Sequence, residues 1–153
     1  MNKRKKIPKL IGRRELVDFP VLGLTGMDAK IDTGAYTSAL HCTEIGERTE
    51  GEAKYLWFRL HGKNEQTEDP KEHRFTDYTR KKIKSSTGEP EERFVIKTPV
   101  KIGSRIINTT ISLSDRASMR YPVLLGRRLL KRKFIVDVAR IHTGGLALKS
   151  IFN

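Results

Sequence analysis

The chain has 153 residues, 37% of them hydrophobic, a size and composition suited to one compact domain that buries a core without disulfide staples. Lys and Arg total 31 against 18 Asp and Glu, a formal net charge of +13; such a field attracts nucleic acid, anionic membranes or acidic peptides, and charge alone does not choose among them. No apolar run approaches the roughly 20 residues that span a bilayer, and the single cysteine, Cys42, excludes an internal disulfide, argues against a cysteine-based metal site and fits a reducing, cytoplasmic setting.

Residues 1–11 read as a basic tail. Pro8 and Gly12-Arg13-Arg14-Glu15 interrupt the few hydrophobic residues behind Met1 to Lys6, which excludes a recognisable signal peptide. A single domain is expected over 12–140, followed by a C-terminal extension at 141–153. Short segments rich in β-branched and aromatic residues recur between turn signals: Val21 to Leu24, Ala29 to Asp32 and Tyr55 to Leu60 come first. From His61 to Tyr78 the chain turns polar around Pro70 and reads as a solvent-exposed excursion. Lys84 to Pro90 is either the mobile tip of a long hairpin or an ordinary surface loop. Phe94 to Ile102 and Ile106 to Leu113 read as strands joined by a tight Gly103-Ser104 turn. One short basic helix is expected near Gly126 to Lys133, with a last strand at Phe134 to Val138. The pattern is all-β, a sandwich or barrel.

The densest basic groups, Lys3 to Lys6, Arg80 to Lys82 and Lys131 to Lys133, are not interleaved with aromatic residues. No RNA-recognition or helix-turn-helix signature accompanies them, so a solvated basic surface is favoured over a dedicated nucleic-acid site.

Ala29 to Leu40 is the most informative stretch. An apolar strand delivers Asp32 into the turn Thr33-Gly34, and small residues lead back to apolar character. Alone, Asp-Thr-Gly is weak, because it also occurs by chance in turns. Further on, Tyr121-Pro122-Val123-Leu124-Leu125-Gly126-Arg127-Arg128 places apolar residues and a glycine before the short helix. Together these resemble the two signatures of retropepsins, in the family's order and separation, over about Gly12 to Val138. Ser38, Leu40, Asp115-Arg116, Met119 and Pro122 bring the pattern near the group of retropepsin-like domains labelled ATP-dependent zinc proteases.

The resemblance implies a closed acid-protease barrel with one short helix, and an aspartic endopeptidase whose catalytic residue is Asp32. With one such turn per chain, a homodimer is implied, each copy supplying one carboxylate. It further implies that Thr33 cross-links the two loops, that Gly34 permits the turn and frees its N–H for the carboxylate, and that Gly126 lets backbone segments pack behind the site. Ala35 stands where pepsin-like enzymes have Ser or Thr, removing a hydroxyl donor. Arg116 and Arg127 are candidates for gripping a substrate carboxylate, or else form structural ion pairs. Ser86, Thr87 and Gly88 would lie at the tip of a flap over an extended peptide. Relatives' association with glutamate-ligase enzymes implies acidic or glutamate-rich peptides as substrates. No cofactor is expected: His41, His61, His73 and His142 are scattered without metal-ligand spacing, and no phosphate-cradling glycine loop is present. The alternative is a catalytically silent module that holds acidic peptides or nucleic acid on its basic face.

Overall fold

The computed structural model describes residues 6–62, 69–84, 88–115 and 120–150. Alternation of buried and exposed residues, the signature of a strand with one face on a core, shapes its central elements. In β2 (Arg14–Phe19) Val17 and Phe19 are buried while Leu16 faces out; in β3 (Leu24–Ile31) Met27, Ala29 and Ile31 point inward. The same period runs through Ile96, Thr98, Val100 and Ile102 of β9 (Pro90–Ile102).

These strands close a barrel. With β1 (Lys9–Gly12), β4 (Ser38–His41), β10 (Arg105–Ser114) and β11 (Val123–Leu125) also numbered in chain order, the hydrogen-bonded sequence is β10, β4, β11, β3, β2, β9, and β9 pairs back onto β10. The long β9 and β10 run antiparallel from Ile102↔Arg105 to Phe94↔Leu113, turning at Gly103 with a left-handed φ of 59° that glycine adopts without strain. This is the all-β closed barrel expected from the resemblance. The helix, α1 (Arg127–Leu130), buries Leu129 and Leu130 behind it.

Three further pieces attach. β5 (Glu44–Glu50), β6 (Ala53–Leu60) and β7 (Lys71–Phe75) form an antiparallel three-stranded sheet whose inner face, including Leu56, Phe58 and Leu60, joins the core. β8 (Thr79–Lys84) pairs with the start of β9 as a hairpin. β12 (Phe134–Asp137) lies parallel to β1.

Two expectations change. Residues 20–23 form the turn between β2 and β3, closed by Leu22 N–H to Phe19 O (3.1 Å) and Gly23 N–H to Pro20 O (3.4 Å), rather than a strand at Val21 to Leu24. Pro20 and a left-handed Gly23 outweigh the β-branched residue between them. The polar stretch 61–78 contains β7, because pairing with β6 satisfies its backbone and Phe75 packs on Phe58 (5.6 Å between ring centroids).

The N- and C-terminal segments meet each other and the barrel at several points. Leu10 exchanges both backbone hydrogen bonds with Leu146, each 2.8 Å. Glu15, fully buried, accepts N–H groups from Gly12 (2.7 Å), Thr143 (3.1 Å) and Gly144 (2.9 Å) and the Thr143 hydroxyl (2.9 Å). Four donors converging on one carboxylate compensate its loss of water.

Candidate active site

β3 ends in the core at Ile31, and the next residue, Asp32, emerges half-buried. Parallel pairing of Leu125 with Ile31 sets the height of the loop, and Asp32 N–H donates to Leu125 O at 2.8 Å. The loop closes through Ala35 N–H to Asp32 O (3.3 Å) and is moulded onto the start of α1: Arg127 N–H bonds Ala35 O at 2.8 Å and Arg128 N–H bonds Tyr36 O at 3.0 Å. Two loop carbonyls thus accept from backbone donors that a helix start leaves unpaired.

Gly126 is the point of closest approach. A Cβ there would lie 2.7, 2.8 and 2.9 Å from the carbonyl oxygens of Thr37, Tyr36 and Ala35, closer than such contacts allow. Its N–H donates to Ser38 Oγ (3.1 Å), and Ser112 Oγ donates to Ser38 O (3.1 Å), fastening the loop's far end to β10. Ser112 carries no sequence signal of this role, since it reads as one polar residue within a strand.

At the tip, Gly34 N–H donates to Asp32 Oδ1 at 2.9 Å. Gly34 is not in the left-handed region, so the turn itself does not demand glycine; a Cβ would come within 3.3 Å of the carboxylate oxygen, and space is what it provides. Thr33 is exposed beside the carboxylate. Ala35 brings only a methyl group. The Arg127 guanidinium donates to Thr33 O (3.0 Å) and lies 5.9 Å from the ring centroid of the exposed Tyr36, so it braces this loop from outside.

Arg116, Ser86 and Thr87 lie outside the described residues. Gly88 sits at the tip of the β8–β9 hairpin with φ 83°. Asp115 is 3.7 Å from Nδ1 of the buried His41. His73 stacks on Phe58, and His142 lies 3.3 Å from Asp28. Among the described residues no three His, Cys, Asp or Glu side chains gather as metal ligands. Burial pushes the Cys42 thiol up to about 12, with Asp115 adding to the shift, which leaves it a protonated core side chain.

The arrangement presents one preorganised carboxylate, held by a backbone donor and open on one side. Among the described residues no helix is long and apolar enough to cross a membrane.

Comparison with known proteins agrees with this geometry. The family described as retropepsin-like aspartic endopeptidase RimB matches residues 10–144. Two curated relatives, each named a probable alpha-L-glutamate ligase, are 31% identical over 131 residues in Desulfotalea psychrophila and 35% identical over 129 residues in Shewanella pealeana. These matches take in 86% and 84% of this chain, yet the chain spans only 28% of the length of each relative. A solved Legionella pneumophila protein of unknown function superposes with a TM-score of 0.71 at 25% identity, covering 89% of this chain and 98% of that one.

Proposed function

The chain belongs to the RimB-like family of retropepsin-like aspartic endopeptidases, and from that premise we propose that it is one half of a homodimeric aspartic peptidase acting on acidic, glutamate-rich peptides. The observation that carries the reading is the loop holding Asp32: a half-exposed carboxylate fixed by Gly34 N–H on a backbone mould made by Leu125 to Arg128. The sequence contains a single Asp-Thr-Gly. Peptide hydrolysis of this kind uses two carboxylates, so a twofold partner supplies the second.

Two Asp32 side chains brought together share one proton, because like charges a few ångströms apart do not both ionise readily. The ionised one takes a proton from water as the water oxygen attacks the scissile carbonyl carbon. The protonated one gives its proton to the carbonyl oxygen, forming a gem-diol. Proton transfer to the amide nitrogen then lets the C–N bond break, leaving an acid and an amine. Thr33 is exposed where it would meet its symmetry mate and tie the two loops together.

The acidic substrate follows from charge and from the company the domain keeps. Each subunit carries +13, and a dimer concentrates that field around its cleft. The relatives are named for joining glutamate, and this domain's match fills 28% of their length. A hydrolase working on the class of chain that a ligase extends gives that pairing a chemical sense.

The test is cleavage of a glutamate-rich peptide library by the wild type and by Asp32→Asn. The substitution keeps size and hydrogen bonding but removes the shared proton, so activity should fall by about 10³-fold or more with an unchanged melting temperature. Cleavage by Asp32→Asn at the wild-type rate would overturn the assignment.

A further inference from the structure

We propose that a basic groove outside the Asp32 loop is a docking site for an acidic polypeptide segment that also carries apolar side chains. The groove encloses about 960 Å³ between the N-terminal stretch, the start of β10 and the turn after α1. Ile7, Pro8, Ile106 and Ile107 supply its apolar surface, and Ile7 and Ile106 are 72% and 63% exposed. Lys6, Arg105, Arg132 and Lys133 surround it. A second hollow of about 270 Å³ shares Ile107, Asn108 and Lys133 with the first, adds Lys97 and Arg128, and so carries the groove on to α1. Among the described residues, no carboxylate lines either part.

Exposed apolar surface rimmed by polar groups marks interaction sites on soluble proteins. The walls are preformed: Arg105 donates to Lys133 O (2.7 Å) and to Ile7 O, joining the two sides across the start of β10. That leaves Lys6, Arg132 and the Lys133 ammonium facing a cleft with no acidic partner in its lining.

Charge and shape select the occupant. A second copy of this chain, with a net charge of +13, supplies no excess of carboxylates to match this cationic rim, and the twofold pairing proposed above is made at the Asp32 loop instead. Single-stranded nucleic acid binds through aromatic platforms on which bases stack, and no aromatic side chain lines the groove among the described residues. A membrane surface is too flat to reach a concave floor. An extended segment alternating carboxylates with leucine or isoleucine satisfies both the cationic rim and the apolar floor. Since α1 is the element on which the Asp32 loop is moulded, a chain docked here lies alongside the subunit's catalytic half.

The experiment uses the full chain as Asp32→Asn, so that binding is read without cleavage. Fluorescence anisotropy follows labelled peptides of equal length: alternating Glu-Leu, all-Glu and alternating Gln-Leu. Lys6→Glu with Arg132→Glu, and separately Ile106→Ser, should each weaken Glu-Leu binding by about tenfold. Lys81→Glu with Lys82→Glu, at two exposed residues of β8 outside the groove lining, lowers net charge by the same amount and should leave binding within about twofold. All-Glu and Gln-Leu should both bind less tightly than Glu-Leu. Equal losses from the two double reversals would mean that only the general field acts. No effect of Ile106→Ser, or displacement of Glu-Leu by a single-stranded RNA in preference to free peptide, would overturn the occupant proposed. Because docking is read in the Asp32→Asn protein, it stands or falls separately from the peptidase assignment.

Discussion

Asp32 shows how far a single position can be read from sequence. Its place at the end of an apolar strand, before Thr-Gly, is explicit in the order of residues, and the structure puts it half-buried with Gly34 N–H on its carboxylate. What the order of residues leaves silent is Ser112, whose hydroxyl secures the loop through Ser38 O from 74 positions away. His73 was equally silent about its surroundings. Burial against Phe58, with Lys71 adding, lowers its pKa, and its Nε2 is buried without a hydrogen-bond partner. Lowering the folded pKa of a histidine means that the unfolded chain binds the proton first as pH falls. Stability is therefore fully present above the ordinary histidine range and declines as pH drops through the unfolded value toward the folded one. His73→Phe, which keeps a ring against Phe58, should flatten the fall in melting temperature between about pH 7 and 5. A slope equal to the wild type's would show that other groups carry it.

Among the elements, those with a clear two-residue period were legible and those that depend on a distant partner were not. The β9–β10 hairpin announces itself through Gly103-Ser104 and the alternation on either side. β7 does not, because Lys71 to Phe75 is polar in isolation and becomes a strand only by pairing with β6. The Val21 to Leu24 error has the opposite origin: local β propensity gave way to the turn chemistry of Pro20 and Gly23. The element on which the site depends most is the junction of β11 and α1. Gly126→Ala places a methyl carbon inside contact distance of three backbone carbonyls that cannot swing aside. Its cost should be about 2 kcal/mol or more by urea denaturation, with peptide cleavage falling further than stability because the displaced carbonyls belong to the Asp32 loop. A variant with wild-type stability and cleavage would mean that this close approach is dispensable.

At the scale of the whole molecule, charge was the most legible property and the hardest to assign from sequence. If the +13 field serves acidic substrates, acidic peptides should be cleaved faster than neutral ones of equal length. Raising salt from about 0.05 to 0.5 M should remove most of that advantage as screening shortens the reach of each charge to a few ångströms. Indifference to peptide charge and to salt would leave the field as a matter of solubility. The barrel's closure has a different consequence, one of timing. The mould for Asp32 comes from Leu125 to Arg128, and β1 pairs with β12 across 125 positions of chain. Contacts this far apart in sequence are slow to form, because the ends of a long loop must meet before anything rewards them. During synthesis, the Asp32 loop emerges more than 90 residues before the backbone that shapes it. A growing chain thus carries Asp32 in an unshaped loop until nearly all of the barrel has been made, so the geometry around its carboxylate is among the last features of the fold to form.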